Sequence, residues 1–244
     1  MTGRALEGDY LHSIETTAER IRPDNVLGRL PAELSGKLLS GERTINLRAG
    51  DTLFERGDAG DGCYWLRRGV LAVSVGSANG EQRILAILGP GELVGEIAMI
   101  DGLPRSATVQ AVRDCVLTFV SRAAFTEVMN RHPELHRDIV TTLAARLRQS
   151  DEDMVASSFL TVRARVARAL LVFARHLGEE VGEDRIRIRH KITQSDLAAM
   201  AGVARESVSR TLSGWSKQKV LEGSSRAGYV VNEARLRREA AAVA

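Results

Sequence analysis

The hydrophobic period of this chain changes once, and that change restricts the fold more than any other feature. From Arg43 to about Val120, apolar and polar residues alternate in short runs: "TINLRAG", "DTLFERGD", "CYWLRRG", "VLAVSV", "QRILAIL", "SATVQAV" and "VLTFV". A period of two places one face of each run on a core and the other in water. Gly, Asp and Asn punctuate the runs every 6 to 12 residues, the spacing of an antiparallel sandwich or roll. Gly50, Gly57, Gly69 and Gly80 fall where turns are expected, since glycine reaches turn conformations at low steric cost.

After "SRAAFTEVMNRHPE" the period becomes helical. Pro133 suits a first helical turn, and Leu135, Ile139, Leu143, Leu147 and Met154 recur on one stripe. A helix from about Pro133 to Val155 is about 30 Å long, more than one small roll needs for its own cover. Either it covers the core, or it is shared with a second copy of the chain as in a coiled coil. A further amphipathic helix carries Val162, Val166, Leu170, Phe173 and Leu177 on one face and ends at Gly178. "DRIRIRHKI" then alternates as a strand. Upstream, "PAELSGKLLSG" reads as a short helix behind a polar N-terminal stretch.

Charge is divided as well. From Leu160 onward 16 Lys and Arg stand against 9 Asp and Glu, a balance of +7; before it, 18 against 22 give −4, and the whole chain carries +3. A basic C-terminal part behind an acidic N-terminal part suggests one module that meets a polyanion and one that does not. Aromatic residues are only 4%, so aliphatic side chains must dominate the core. Cys63 and Cys115 lie 52 residues apart with no Cys or His nearby. That excludes a local zinc or iron–sulfur ligand set and fits two buried free thiols. No cationic start followed by an apolar stretch is visible, and no run approaches the roughly 20 apolar residues of a spanning helix. A cytoplasmic location without a membrane partner is the expectation.

"VGEIAMIDGLPRSATV", residues 94–109, sets Glu96 and Arg105 nine residues apart, with the hydroxyls of Ser106 and Thr108 just after the arginine. A carboxylate accepts from a sugar hydroxyl, and a guanidinium grips phosphate oxygens through its planar fork. Backbone N–H groups released around Gly102 and Pro104 can add anion contacts. On this reading Glu96 points at a ligand from one short helical turn, while Ile97, Ala98, Met99 and Ile100 cover the core. The plain alternative is a surface ion pair worth about 0 to 1 kcal/mol.

The longer string "GPGELVGEIAMIDGLPRSATVQA" resembles the phosphate-binding cassette of cyclic-nucleotide-binding domains. Gly95, Glu96, Ile97, Ala98, Pro104, Arg105, Ser106, Ala107 and Thr108 match its pattern, and "AGDTLFERGDAGDGCYWLRRGVLAVSV" looks like the family's β-roll. Val94 stands where an aromatic residue is frequent. The resemblance implies that Glu96 holds the ribose 2′-hydroxyl and that Arg105 and Ser106 hold the cyclic phosphate. Val94, Gly95, Ile97, Ala98 and Ala107 are placed around the ligand, and Arg146 of the long helix is counted with them.

"ITQSDLAAMAGVARESVSRTLSGW" carries the second chemistry. Leu197, Ala198 and Ala201 make one apolar face, Gly202 marks a turn, Val203 packs under it, and Val208 and Leu212 face inward from a second helix. Arg205, Glu206, Ser209 and Arg210 are left facing out, where such a helix meets base edges. Arg takes guanine O6 and N7, and Glu accepts from cytosine N4. Lys217, Lys219 and Arg226 suit phosphates, and "KVLEGSSRAGYVV" reads as strand, turn, strand, the wing of a winged helix. A helical hairpin with a solvated charged face is the alternative.

This segment resembles the DNA-binding domain of the bacterial cyclic AMP receptor and fumarate-nitrate regulator family. In that family an R-E-x-V-x-R motif reads a TGTGA-like half-site, and Arg205, Glu206 and Arg210 fall on its three base-reading positions. Thr193, Gln194 and Ser195 are counted with the same interface. The resemblance extends over all but the first thirty or so residues. The chain lacks the N-terminal cysteine cluster of the iron–sulfur branch, and none of its five histidines lies between Arg20 and Arg131, which argues against a haem ligand in the roll.

The implied molecule is an α+β chain. It has an N-terminal extension (1–30), an antiparallel β-roll that binds a cyclic nucleotide (31–132), a long dimerisation helix (133–158) and a C-terminal winged helix-turn-helix (159–244). Cyclic AMP, with cyclic GMP as a second candidate, is the allosteric ligand. The partners are a second copy of the chain, double-stranded DNA with TGTGA-like palindromic half-sites, and RNA polymerase. Where the family's long helix contacts the adenine, this chain has Ser150 and Asp151; a carboxylate accepts either from adenine's amino group or from guanine's N1–H and N2–H. A solvated Asp151 on an acidic helix face is the alternative. The rival functions are a regulator of the same family with another effector or none, a nucleotide hydrolase, and a nucleoid protein without sequence preference. No metal-ligand cluster or nucleophile–base pair supports the hydrolase, so neither a catalytic role nor a metal is expected.

Overall fold

The computed structural model describes residues 43–77, 79–225 and 227–243. The N-terminal extension, the "PAELSGKLLSG" helix and Arg226 lie outside the described residues. By its contacts the chain forms two compact units. Among the described residues one takes in 43–69, 89–106 and 111–154; the other takes in 70–88, 107–110 and 155–243.

The roll consists of β1 (Thr44–Leu47), β2 (Thr52–Phe54), β3 (Gly62–Gly76), β4 (Gln82–Leu88), β5 (Leu93–Val94) and β6 (Thr108–Ser121). Its strand order is β1-β6-β3-β4, with β2 on β6 and β5 on β3. β1 pairs β6, and β3 pairs both β4 and β5, all antiparallel. The runs "CYWLRRG" and "VLAVSV" are one 15-residue strand, and "VLTFV" lies with "SATVQAV" from Thr108 onward on one 14-residue strand. Gly69 is therefore not a turn. It sits inside β3 at φ 102, where a Cβ would run into the Asp114 carbonyl and Cys115. Its missing side chain lets two backbones approach closely.

Cys63, Leu93, Met99, Val120 and Met129 form a buried cluster, with Trp65, Phe125, Val128 and Ile139 packed against it. The cluster joins the strands to α1 (Glu96–Asp101), α2 (Arg122–Arg131) and the start of α3 (Leu135–Phe159). The sequence reading placed no separate helix at α2; its signal was Ser121, whose hydroxyl accepts from Ala124 N as an N-cap. Both cysteines are buried and free.

α3 corrects the single-stripe reading of its sequence. Ile139 packs on the roll cluster, whereas Val140, Leu147 and Met154 are 64%, 64% and 69% exposed. The helix thus carries two apolar faces, one against its own roll and one outward. In α4 (Val162–Leu177) the buried face holds Val166, Leu170, Phe173 and Leu177, while Val162 is exposed. α4 begins at an N-cap, Thr161, and ends at Gly178 as its C-cap.

The remaining elements are β7 (Gly178–Gly182), β8 (Arg185–Ile188), α5 (Gln194–Ala201), α6 (Arg205–Lys217), β9 (Leu221–Ser224), β10 (Gly228–Asn232) and α7 (Glu233–Ala240). The strands form a second sheet in the order β7-β8-β10-β9. β7 and α7 were not anticipated. Among the described residues, no helix is long and apolar enough to cross a membrane.

Candidate functional site

Glu96 and Arg105 are both buried, at 5% and 3% exposure. Each is held by its own chain. Glu96 opens α1 after Gly95, and its Oε1 accepts from Arg146 Nη1 on α3. Arg146 Nη2 donates to Leu93 O at 2.7 Å, so one guanidinium ties the long helix to both the start of β5 and the start of α1. Glu96 Oε2 has no hydrogen bond among the described residues.

Arg105 Nη1 donates to Gly62 O at 2.8 Å and to Gly95 O at 2.7 Å. Its guanidinium carbon lies 4.4 Å from the centre of the Phe54 ring and 5.7 Å from that of Tyr64, a cation–π arrangement. Nη2 lies 3.7 Å from Asp61 Oδ1, an exposed carboxylate. Nε is buried and has no partner among the described residues. Arg105 is therefore anchored through one nitrogen, while the Nε edge retains donor capacity. Burial pushes the Tyr64 hydroxyl above its ordinary pKa, opposed by the neighbouring Arg105.

Several expectations about this segment need correction. Ile97 and Ile100 are exposed; Ala98 and Met99 supply the core contacts. In this helix of 6 residues Glu96, Ala98 and Met99 share the buried arc, and at about 100° per residue Ile97 and Ile100 fall outside it. The backbone near Gly102 is not a free nest: Gly102 N donates to Ala98 O at 3.1 Å and Leu103 N to Asp101 Oδ1 at 2.9 Å. Val94 and Ala107 are buried and Ser106 is exposed. Ser150 and Asp151 are exposed on α3, and Ser150 Oγ donates to Arg146 O at 3.1 Å. Phe54, Tyr64 and Arg122 escaped the sequence reading. Arg122 Nη2 donates to Gly60 O at 3.0 Å and Ala98 O at 2.9 Å, fastening the back of α1.

The second site is built on α5 and α6. Thr193 caps α5 in a reciprocal box with Asp196: its hydroxyl accepts from Asp196 N, and the Asp196 carboxylate accepts from Thr193 N. Thr193 is thus engaged in its own helix; Gln194 is half-buried and Ser195 exposed. Gly202 ends α5 at φ 63. Val208, Thr211, Leu212 and Trp215 are the buried residues of α6, which leaves Arg205, Glu206, Ser209, Arg210 and Lys217 exposed. The spacing of the buried set, three or four residues, forces the charged set to the opposite side.

α7 braces this module. Arg163 Nε donates to Glu239 Oε2 at 3.0 Å and Nη2 to Glu239 Oε1 at 2.8 Å, a bidentate pair between α4 and α7. The same Nη2 lies 3.2 Å from Gln218 Oε1, and Arg235 Nη1 donates to Gln218 O at 3.0 Å, fixing the C-terminal end of α6. The hydrogen bond from Arg163 holds the Glu239 carboxyl below its ordinary pKa.

Residues 44–132 match the family description of the cyclic nucleotide-binding domain, and residues 164–239 that of the Crp-like helix-turn-helix domain. The chain is 37% identical over 173 residues to the cyclic AMP receptor protein of Thermus thermophilus, covering 70% of this chain and 76% of that one. It is 28% identical over 186 residues to the CRP-like cAMP-activated global transcriptional regulator of Mycobacterium tuberculosis, covering 74% of this chain and 81% of that one. Its fold is similar to the c-di-GMP responsive global regulator CLP of Xanthomonas campestris, with a TM-score of 0.72 at 19% identity, over 82% of this chain and 99% of that one. An antiparallel roll carrying the Glu96–Arg105 cassette, followed by helices and a helix-turn-helix module, is the architecture of transcription regulators rather than of enzymes. The chain belongs to the cyclic AMP receptor and fumarate-nitrate regulator family of DNA-binding transcription regulators.

Proposed function

We propose that this chain is a homodimeric regulator in which cyclic AMP, or cyclic GMP, bound in the roll shifts the dimer into an arrangement that binds palindromic DNA. One observation carries the ligand assignment: Arg105 is buried and anchored through Nη1, yet its Nε has no partner among the described residues. A buried donor without a partner costs about 1 to 3 kcal/mol, and a phosphate oxygen relieves that cost. Glu96 Oε2 is available to a ribose hydroxyl, and Arg146 links the same carboxylate to α3. A ligand that draws on Glu96 thus acts on the helix that carries the outward apolar seam.

That seam, Val140, Leu147 and Met154, recurs every seven residues, the repeat that two helices share in a coiled coil. It supports a second copy of the chain as partner. Arg205, Glu206 and Arg210 are the base-reading candidates, TGTGA-like half-sites the expected target, and RNA polymerase a further partner. On this reading the roll spans 31–132, the dimer helix 133–158 and the DNA-binding part 159–244. Calorimetric titration with cyclic AMP, cyclic GMP and cyclic di-GMP, followed by DNA binding with each, tests the proposal. Heat and enhanced DNA affinity with a cyclic mononucleotide are expected; a response to cyclic di-GMP alone, or to none, refutes the ligand assignment.

A further inference from the structure

Gly202 turns the chain from α5 into α6 and is exposed. Two guanidinium groups meet at it. Arg165, on α4, sets Nη1 3.5 Å from Gly202 O. Its other hydrogen bond, to Ser157 O, is equally long at 3.5 Å, and its Nε is buried with no partner among the described residues. Arg83, on β4, brings Nη1 so close to Gly202 that a Cβ at this position would collide with it. The backbone of Arg83 is paired with Val75 in the sheet, but its guanidinium has no hydrogen bond or ion pair among the described residues. β4 packs along α5 and α4 inside the second compact unit, so the fold holds both cations at this glycine, and among the described residues neither is paired with a carboxylate. Like charges held together favour an anion at the same place, and two planar forks beside a backbone without a side chain suit a tetrahedral oxyanion.

We infer that Arg83 and Arg165 form a phosphate site at the helix–turn–helix elbow, and that its ligand is a backbone phosphate of bound DNA. The inference rests on the DNA-binding reading above. Gly202 stands two residues before Ala204, the N-cap of α6. An anion at the elbow therefore lies beside the start of the helix that enters a groove about 12 Å wide. In this arrangement a residue of the nucleotide-binding roll takes part in the grip on DNA.

The test is the salt dependence of DNA affinity for the full chain and for Arg83→Met, which keeps an apolar stem and removes the charge. Each phosphate contact contributes a slope of about −0.9 in log affinity against log salt. The variant should lose about that much slope, equally on operator and unrelated DNA, with nucleotide affinity unchanged in the absence of DNA. Thermal denaturation with and without inorganic phosphate separates the sources. Stabilisation by phosphate that vanishes in Arg83→Met, at unchanged slope, overturns the DNA assignment in favour of a free oxyanion. An unchanged slope with no phosphate effect overturns the site. Wild-type protein that binds no DNA at any salt overturns the underlying reading, and the denaturation arm then judges the site alone.

Discussion

On the proposed reading, Arg105 serves fold and ligand with one side chain. Nη1 bridges two backbone carbonyls, the ring of Phe54 supports the plane, and Nε is left without a partner. Arg105→Leu removes all of these at once and leaves two carbonyls short of a donor, so some loss of stability is expected. Arg105→Lys keeps a charge but not the fork. Both variants should bind cyclic nucleotide at least tenfold more weakly, about 1.4 kcal/mol, by calorimetry on protein shown by circular dichroism to be folded. Wild-type affinity in Arg105→Lys would mean that the fork does not hold the phosphate. Asp151 decides between bases on the same reading. It accepts from guanine N1–H and N2–H, while Ser150, whose hydroxyl donates to Arg146 O, keeps lone pairs for adenine's amino group. Cyclic GMP should bind within about tenfold of cyclic AMP, and Asp151→Ser should widen the gap in favour of cyclic AMP; an unaltered ratio would place Asp151 on a solvated face. Glu96 and Arg105 were legible because they sit in one short string. Arg146, Phe54 and Tyr64 lie up to 51 positions from Arg105, and no spacing rule says which distant side chains close on a given pair.

At the scale of elements, period alone located the strands and long helices but not their division of labour. A stripe at helical spacing is the same string whether it faces one partner or two, which is why the outward seam of α3 was merged with Ile139. Leu147→Asp puts a charge in that seam without touching the roll cluster. It should convert a dimer to a monomer in light scattering while leaving the far-ultraviolet circular dichroism unchanged; a persistent dimer would place the interface elsewhere. α7 was missed although Asn232, its N-cap, accepts from Arg235 N, because a short run of Ala, Arg and Glu has little apolar period to read. Its bond to α4 gives a pH signature. Glu239 is held below its ordinary pKa by Arg163, so its contribution to stability is present above the unfolded carboxyl value of about 4.3. It is lost as pH falls through the lower folded value. Glu239→Gln should therefore melt below wild type at neutral pH, and the gap should narrow progressively in acid. A constant gap from pH 7 to pH 3 would show that the charge of Glu239 is not what holds α7.

For the whole molecule the charge division was the earliest signal of two tasks. It was also coarse: a balance of +7 after Leu160 does not say which cations face DNA. Arg163 and Arg237 are engaged with carboxylates, and Arg185 and Arg189 likewise with Glu222 and Glu179. The polyanion signal therefore rests on a smaller set, including Arg205, Arg210 and Lys217. What joins the tasks is thermodynamic. If nucleotide raises the affinity for DNA by some factor, DNA must raise the affinity for nucleotide by the same factor. Couplings of this kind run at about 1 to 3 kcal/mol, or roughly 5- to 150-fold. The prediction is two equal factors within that range. One comes from anisotropy of labelled palindromic DNA with and without saturating cyclic AMP. The other comes from calorimetric titration of cyclic AMP with and without saturating DNA, both at one salt concentration because the phosphate term varies steeply with salt. Leu147→Asp should bring both factors towards one, since a monomer has no half-site spacing for the ligand to adjust. Equal factors of one in the wild-type dimer would mean that cyclic AMP is not the effector. A large factor that survives in the monomer would place the switch within a single chain, between Glu96, Arg146 and the reading helix, rather than in the pairing of two.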